Sequence, residues 1–357
     1  MRHLELFAGI GGFRKAIDIL GENYNFPTSC IGFSEIDKYA TTTYKANYDT
    51  ANEVELGDII QFTANADNIN NLPDFDLLTG GFPCQPFSMM GKQEGFNDHR
   101  GNVFYNIVDI LRVKQPKYIL LENVKNLFTH NEGKTFKEVK RVLEEIGYKI
   151  YFDIFNTKDF DLAQIRNRVI ILGIRQDIDI DEDFVFNKEV VLSNYRNNAL
   201  RNNLLIQNSV LDVLDRDVEE KYYLSEKIKP TILANGSKNY VAKSEINQLI
   251  ARPLTATMAK MHRANQDNYY SRGFLTSENP IEYVNIQFTK QELAEQPIRR
   301  ITPKEAFALQ GFNEDFYNNA SNAKVSNAQL YKQAGNAVSV NTIYAILHYL
   351  FVNNLLI

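Results

Sequence analysis

Short apolar runs alternate with amphipathic segments through the first half of the chain. The runs predict buried β-strands at residues 3–7, 30–33, 75–79, 118–121 and 169–174, with a further strand ending at residues 57–59. Helical spacing of apolar residues predicts helices at 13–20, 39–48, 104–112 and 136–146, the first ending at Gly21 and the last at Gly147. The alternation is typical of an α/β fold with a doubly wound, mainly parallel, Rossmann-like sheet.

Small or chemically active residues follow five of these strands. In doubly wound sheets, ligands bind outside the carboxyl ends of the strands. The residues predicted at that edge are Gly9, Glu35, Asp58, Cys84 and Glu122. The pattern therefore predicts one ligand site along this edge of the sheet.

The alternation fails after about residue 175, where residues 176–295 are rich in Asn, Tyr and short irregular runs. We expect a second, smaller, irregular β/loop domain there. Helix signals return at Thr302, an N-cap residue followed by Pro303 and Glu305, and an apolar final helix is expected at 341–350. The predicted domains are 1–175 with 302–357, and 176–301 as a second domain and hinge.

The bulk properties indicate a soluble globular protein of 357 residues with a net charge of -5. We expect no signal peptide, because Arg2 and His3 precede a strand, and no membrane span, because no apolar run reaches ~18 residues. The two cysteines, Cys30 and Cys84, exclude a disulfide framework and favour a reducing, cytoplasmic setting. Residues 221–312 carry 13 Lys/Arg against 8 Asp/Glu, a local basic surplus that fits nucleic acid or a solvated face.

Cys84 lies in Gly80-Gly81-Phe82-Pro83-Cys84-Gln85-Pro86-Phe87-Ser88, where prolines stiffen the chain on both sides. A lone cysteine is commonly a small buried hydrophobe. Two prolines, two glycines and the absence of a helix or strand pattern favour instead a nucleophile presented on a loop.

Five motifs in order resemble those of the DNA (cytosine-5)-methyltransferases. Beside the Pro83-Cys84-Gln85 stretch, they are Leu4-Glu5-Leu6-Phe7-Ala8-Gly9-Ile10-Gly11-Gly12-Phe13, Glu122-Asn123-Val124, Gln164-Ile165-Arg166-Asn167-Arg168 and Gln333-Ala334-Gly335-Asn336-Ala337-Val338. Together they span residues 4–340. The resemblance implies a methyltransferase sheet, a target recognition domain and the stand-alone enzyme of a type II restriction-modification system.

The glycine turn after the first strand is compatible with a nucleotide-type cofactor. A dinucleotide fingerprint would place glycine at position 14, which is Arg14, whereas S-adenosylmethionine has no pyrophosphate to bind. The resemblance implies that Glu35 accepts from the ribose hydroxyls, Asp58 accepts from the adenine amine and Ile36 covers the adenine where many relatives have an aromatic residue. The implied cofactor-binding set is Phe7, Ala8, Gly9, Gly11, Gly12, Glu35, Ile36, Asp58, Ile59, Pro83, Val103, Asn336 and Val338. No metal is expected.

The resemblance also implies the chemistry. A Cys84 thiolate adds to C6 of cytosine, the ring is methylated at C5, and Glu122 shares a proton with N3. Arg168 would lie near O2 of the base and Arg166 close to the ring. The plainer alternatives are a surface carboxylate for Glu122 and a solvated edge for the two arginines.

A cytosine in duplex DNA must be flipped out before it can react. The resemblance implies that a mobile loop at 88–100 closes over it, with Met90 as a wedge or as loop packing, and that the second domain reads the sequence. The candidate DNA-binding residues are Ser88, Met90, Gly91, Gln93, Arg100, Arg252, Thr255, Lys260 and Arg263. Arg299 and Arg300 are expected to brace the domain junction or to contact DNA.

Three alternatives are weighed against a DNA methyltransferase. A tRNA cytosine-5 methyltransferase has the same catalytic core, but the sizeable region 176–295 favours DNA. A silent DNA-binding scaffold would need none of Cys84, Glu122 and Arg168, and a nicotinamide dehydrogenase fails on glycine spacing. We expect a monomer of bacterial or phage type acting on double-stranded DNA, with a cognate restriction endonuclease for the same site.

Overall fold

The computed structural model describes residues 1–83, 103–234, 244–263 and 265–356, together with the backbone of two short strands at Gly236–Ser237 and Tyr240–Val241. Several residues singled out by the sequence lie outside the described residues, namely Cys84, Ser88, Met90, Gly91, Gln93 and Arg100. None of the helices in the described part of the chain is long and apolar enough to cross a membrane.

The chain forms two compact units. The first, called the sheet unit here, comprises Met1–Asn156, Asn167–Asn203 and Thr342–Ile357. The second unit comprises Thr157–Arg166 and Leu204–Asn341. These boundaries differ from the predicted domains, since 176–203 belongs to the sheet unit and 302–341 to the second unit. The two units are defined by contacts between residues, whereas the predicted domains were defined by function. The predicted domain boundaries therefore remain a proposal.

The sheet unit is built on a sheet that has seven strands among the described residues, in the order β3-β2-β1-β4-β5-β7-β6. Its strands are β1 Arg2–Leu6, β2 Ser29–Phe33, β3 Val54–Glu55, β4 Leu77–Gly81, β5 Tyr118–Val124, β6 Tyr148–Asn156 and β7 Asn167–Arg175. The first five strands run parallel, whereas β7 is antiparallel to both β5 and β6. The predicted mainly parallel, doubly wound sheet is confirmed.

Helices that connect the strands, and one that follows the last strand, bury their apolar residues in this unit. They are α1 Gly12–Tyr24, α2 Lys38–Asn47, α3 Ile59–Thr63, α4 Ala66–Asn70, α5 Val103–Lys114, α6 Lys134–Glu145 and α7 Lys188–Asn198. Leu78, Ile107 and Ile119 are fully buried members of this core. Short 3-10 turns at Lys125–Phe128 and His130–Gly133 lead from β5 into α6.

The prediction that the first helix ends at Gly21 is wrong. Helix α1 continues to Tyr24, and Asn25 ends it in the left-handed conformation. Gly21 is needed for another reason, because a Cβ there would lie 2.8 Å from the carbonyl oxygen of Phe26. The glycine therefore marks a close backbone approach inside the last turns of the helix rather than its end.

Two elements of the sheet unit were not expected from the sequence. Strand β6 is an edge strand whose residues are only partly buried at most positions, so its pattern lacks a clean apolar face. Helix α7 lies in the region expected to be irregular, and it buries only Val191 and Tyr195. Both elements are half exposed, which leaves a weak periodic signal.

The second unit contains short elements and small antiparallel pairs, as expected. Its strands are β8 Gly236–Ser237, β9 Tyr240–Val241, β10 Tyr269–Ser271 and β11 Ile298–Arg300, with β8 paired to β9 and β10 to β11. Its helices are α8 Lys229–Leu233, α9 Arg272–Thr276, α10 Pro280–Tyr283, α11 Lys290–Glu295, α12 Pro303–Ala308, α13 Glu314–Asn322 and α14 Asn327–Asn336. Further 3-10 turns lie at Thr157–Phe160, Val210–Asp212 and Glu220–Tyr222.

The helix predicted after Thr302 is confirmed. The Thr302 side chain accepts from the backbone of Glu305, and the Glu305 carboxylate accepts from the backbone of Thr302, which forms a capping box at the start of α12. Glu305 also forms a fully buried ion pair with Arg299, which donates to the carbonyl oxygen of Asp215 at 2.7 Å. Arg299 thus has a structural role within this unit, and the expected roles at the domain junction or on DNA remain predictions. The expected final helix is α15, Val340–Val352.

Candidate active site

The glycine turn after β1 is held by backbone hydrogen bonds to the end of β2. The Ala8 amide donates to the Ser34 carbonyl at 2.8 Å, and the Gly11 amide donates back to Ala8 at 2.8 Å. Phe7, Gly9 and Gly11 all have positive φ, at 52°, 57° and 84°. Glycine adopts this conformation freely, whereas Phe7 is a strained exception of the kind found near functional sites. Gly11 and Gly12 are buried at the start of α1.

Glu35 joins the end of β2 to this turn. One carboxylate oxygen accepts from the Gly9 amide at 2.8 Å, and the other accepts from the Asp37 amide at 2.7 Å. Each carboxylate oxygen can accept more than one hydrogen bond, so both retain capacity for a ligand. The predicted contact with ribose hydroxyls remains a prediction.

The adenine side of the predicted pocket involves Ile36, Asp58 and Ile59. Asp58 caps α3, since its Oδ1 accepts from the Ile60 amide at 2.9 Å. Ile59 is buried, whereas the Ile36 side chain is 77% exposed, an unusual position for a large aliphatic group. The predicted adenine contacts of all three residues remain predictions.

Asn123 anchors the backbone just before Pro83. Its Nδ2 donates to the Phe82 carbonyl at 2.9 Å, and its Oδ1 accepts from the Val124 amide at 2.8 Å. The side chain is buried, so this bond ties the end of β5 to the residue before Pro83. No role was predicted for Asn123, although it lies in the quoted Glu122-Asn123-Val124 motif. Pro83 is exposed, and Val103 is buried at the start of α5.

Glu122 and Arg168 form an ion pair at the end of β5. Arg168 Nε lies 2.7 Å from Glu122 Oε1, and the Arg168 guanidinium also donates to the Asn167 carbonyl at 2.9 Å. The antiparallel register pairs Arg168 with Val124 and Glu122 with Ile170, so the two side chains are diagonal neighbours on one face. Glu122 is therefore not a freely solvated surface carboxylate: its residue is buried and its carboxylate is oriented.

Arg166 belongs to the second unit and has different partners. Its guanidinium donates to the carbonyls of Leu254 at 3.1 Å, Gly335 at 3.1 Å and Ala337 at 2.8 Å. The residue is only 2% exposed. Arg166 immediately precedes β7, the strand that carries Arg168. The predicted place of Arg166 close to the reacting ring remains a prediction. The alternative that Arg166 lies on a solvated edge is wrong, because the residue is buried.

Gln164 and Gly335 complete the packing around Arg166. Gln164 Oε1 accepts from the Leu254 amide at 3.0 Å. A Cβ on Gly335 would lie 2.2 Å from the carbonyl carbon of Thr255 and 2.3 Å from the amide of Ala256. The last turn of α14 thus packs backbone to backbone on the start of the predicted recognition segment. Asn336 is exposed and Val338 is buried; their predicted cofactor contacts remain predictions.

The predicted DNA-reading residues of the second unit differ in how they are engaged. Arg263 donates to Thr255 Oγ1 at 2.7 Å and to Asp267 Oδ1 at 2.9 Å. Arg252 donates to the carbonyl of Glu245 at 2.8 Å, and burial lowers the pKa of its guanidinium. Lys260 is exposed. The two arginines thus hold the loop's conformation, and direct base contacts by all four residues remain predictions.

Solved structures define the class of fold. The S. pombe Dnmt2 methyltransferase matches 100% of this chain and 98% of its own, with a TM-score of 0.72 at 22% identity. The Entamoeba histolytica methyltransferase EhMeth matches 99% of this chain and 98% of its own, with a TM-score of 0.71 at 22% identity. The sheet unit and second unit therefore form a methyltransferase fold of the Dnmt2 type.

Sequence comparison gives the family. The model for C-5 cytosine-specific DNA methylases matches residues 1–351, so the chain belongs to this family and is a DNA (cytosine-5)-methyltransferase. It is 37% identical to the type II methyltransferase M1.ScrFI of Lactococcus lactis subsp. cremoris over 96% of this chain and 76% of that protein. It is 36% identical to the type II methyltransferase M.NgoBI of Neisseria gonorrhoeae over 96% of this chain and 90% of that protein.

Membership of this family implies S-adenosylmethionine as methyl donor. The glycine turn has room for a ligand as far as the described residues go: none of them places an atom within 4 Å of the position that a Cβ would take on Gly9, and the same is true of Gly57 before Asp58. Each open position has a carboxylate beside it that can accept hydrogen bonds, because Glu35 is bonded to the Gly9 amide and Asp58 directly follows Gly57.

Among the described residues, no group of three His, Cys, Asp or Glu side chains is arranged to hold a metal ion. The expectation of metal-free chemistry remains a prediction.

Proposed function

We propose that this protein methylates C5 of a flipped-out cytosine in one short duplex DNA sequence, through a covalent bond between Cys84 and C6. The observation that carries the proposal is the Glu122–Arg168 ion pair at 2.7 Å, at the carboxyl end of β5. Asn123, the next residue, fixes the Phe82 carbonyl and so the start of the loop that bears Cys84. A nucleophile loop and an oriented carboxylate are thereby tied to the same strand end.

The chain's own groups would act in a defined order. The Cys84 thiolate adds to C6, which places negative charge on the ring, and Glu122 shares a proton with N3 to neutralise it. Arg168 holds Oε1 of Glu122, which leaves Oε2 for the base. The methyl donor, when bound, would supply an electrophilic methyl group to C5 of the activated ring and leave as S-adenosylhomocysteine. Loss of the C5 proton to water and elimination of the thiolate then restore the aromatic ring and free Cys84.

Glu35 and Asp58 are the residues proposed to hold the donor's ribose and adenine, with Gly9, Gly11 and Gly12 facing its methionine part. Ile36 supports the adenine site, since an aliphatic side chain 77% exposed beside Glu35 would lose contact with water when a flat ring covered it. Asn336 and Val338 are proposed to complete the pocket.

Duplex DNA is the proposed substrate, and the segment 252–263 the proposed reader. The bacterial type II methyltransferases at 36–37% identity support a cytoplasmic bacterial or phage enzyme with a cognate restriction endonuclease. A monomer is the proposed state of the enzyme.

The test is bisulfite sequencing of plasmid DNA from a host that lacks cytosine methylation, expressing this chain or its Cys84→Ala variant. Protected cytosines in one short motif, absent with the variant, are expected. Retained protection with Cys84→Ala would overturn the covalent mechanism. An absence of protected DNA cytosines from folded protein, together with methylation of tRNA, would assign the enzyme to RNA.

A further inference from the structure

A network of polar side chains lies directly against the glycine turn, inside the sheet unit. It comprises Glu5 on β1, Arg14 on α1, Tyr44 on α2, Tyr48 after α2 and Glu53 before β3. None of these five residues is predicted to touch the methyl donor. Buried polar networks are costly unless each member is satisfied, so this one requires a reason.

Tyr48 is the member that contacts the turn. Its hydroxyl donates to the Gly11 carbonyl at 2.7 Å. Its ring fills the space beside Gly11, since a Cβ there would lie 2.4 Å from the Tyr48 ring. Gly11 has a φ of 84°, so the ring and the backbone conformation both demand glycine. Tyr48 therefore fixes the orientation of one peptide unit in the turn.

Arg14 fixes Tyr48 in turn. Its guanidinium lies over the Tyr48 ring, 4.4 Å from the centroid. The same guanidinium forms an ion pair with Glu53 at 2.6 Å and donates to the Tyr44 hydroxyl at 3.2 Å. It also donates to the Asp49 carbonyl at 3.3 Å, one residue beyond Tyr48. These contacts hold the planar group at several points, which a lysine ammonium would not reproduce.

Glu5 closes the network at its buried end. The residue is fully buried, and its Oε2 accepts from the Tyr44 hydroxyl at 3.2 Å. Burial raises the pKa of Glu5 to about 8, against the opposing effect of Arg14. Glu53 and Asp18, the other carboxylates near Arg14, also have pKa values raised by burial. The guanidinium thus provides the nearest positive charge to three carboxyl groups.

We propose that Tyr48 and Arg14 are positioning residues that set the affinity for the methyl donor by holding the Gly9–Gly12 turn in its binding conformation. This inference rests on the proposed function, because it takes that turn as the donor's seat. A phenylalanine ring would also fill the space beside Gly11. The hydroxyl group is therefore the part of Tyr48 that a phenylalanine could not replace. The hydroxyl holds the Gly11 carbonyl. In the same turn, the Gly9 amide donates to Glu35 and the Gly11 amide donates to the Ala8 carbonyl.

The test compares Tyr48→Phe with Tyr39→Phe, a tyrosine half-exposed on the same stretch of chain. The quantities are the Kd for S-adenosylhomocysteine by calorimetry, the KM for the donor, the KM for DNA, kcat and Tm. Tyr48→Phe should weaken S-adenosylhomocysteine binding and raise the donor KM by about tenfold, the equivalent of one lost hydrogen bond. The KM for DNA and kcat should stay within about twofold. Tyr39→Phe should change none of them.

Arg14→Lys is the second variant and keeps the positive charge. It should raise the donor KM by several-fold without the same change in the KM for DNA. It decides the question if Tyr48→Phe fails to fold. Unchanged S-adenosylhomocysteine affinity in a folded variant would overturn the inference, and so would a parallel loss of Tm, donor binding and DNA binding. Wild-type protein that binds no S-adenosylhomocysteine would overturn the proposed function as well.

Discussion

Arg168 Nε and Glu122 Oε1 lie 2.7 Å apart on adjacent antiparallel strands, although 46 positions separate them in sequence. The ion pair depends on β7 running opposite to the strands before it, because this direction returns the start of β7 to the carboxyl end of β5. The reversed direction of β7 therefore brings the Arg168 guanidinium next to the Glu122 carboxylate.

Glu122→Gln should lower kcat/KM for methyl transfer by about 100-fold or more, because the amide keeps the shape but cannot carry the N3 proton. Methyl incorporation into DNA from labelled donor measures the effect, with thermal unfolding as the test of folding. Glu145→Gln, an exposed glutamate at the end of α6, is the matched control and should leave turnover unchanged. Turnover within threefold of wild type in Glu122→Gln would remove Glu122 from the mechanism.

Arg166→Met should lower the free energy of unfolding by about 3 kcal/mol, because three buried carbonyls lose their donor. Urea denaturation measures the change. Arg216→Met, at an exposed position of the second unit, is the matched control and should be nearly neutral. A fully stable Arg166→Met variant without methyl transfer would instead place the guanidinium at the reacting ring, as the family resemblance implies.

The stability of the protein should depend on pH through His348. Burial lowers the pKa of His348 to about 4 from its ordinary value of 6.5. The unfolded chain then takes up a proton below about pH 6.5 that the folded chain takes up only near pH 4, so stability present above pH 6.5 is lost as the pH falls through this window.

His348→Phe removes this titration while keeping a ring against Tyr24, whose centroid lies 5.3 Å from that of His348. Between pH 7 and pH 5 the variant should lose about 2 kcal/mol less unfolding free energy than wild type. Chemical denaturation at the two pH values measures the difference. Equal losses in the two proteins would show that His348 is not a source of acid lability.

Gly335→Ala should destabilise the second unit severely, by about 3 kcal/mol or more, because the new methyl group would meet the backbone of Thr255 and Ala256 rather than a movable side chain. Thermal unfolding measures the effect. Ala328→Ser on the exposed side of the same helix is the control and should cost little. An unchanged Tm for Gly335→Ala would mean that these two backbone segments can separate.

The sequence was most informative where a buried strand led into a motif. The apolar runs before Gly9 and Glu122 predicted the strands that place both residues at the carboxyl edge, because complete burial leaves a continuous apolar signal. The half-exposed elements β6 and α7 were missed for the opposite reason. The helix that continues past Gly21 was misjudged because an isolated glycine signals an end and a close approach equally well.

Long-range polar contacts were the least predictable part of the site. Asn123 and Tyr48 each fix a single carbonyl, at Phe82 and Gly11 respectively, and no spacing rule relates these pairs. Arg166 and Arg168 show the same limit. Both were predicted to lie near the same cytosine ring, yet the chain passes from one compact unit to the other between Arg166 and Asn167.

The contacts of residues 163–166 bear on how sequence specificity can be re-engineered. The Ile165 amide donates to the Ala251 carbonyl at 2.9 Å, and the Ala251 amide donates to the Ala163 carbonyl at 2.8 Å. Leu254 is also hydrogen-bonded to Gln164 and Arg166, so the chain at 251–254, where the proposed reading segment begins, is held by residues 163–166. A chimera that imports a foreign reading segment should therefore be joined after Thr255, beyond these hydrogen bonds, which keeps Arg252 and Thr255 with the host and replaces Lys260 and Arg263.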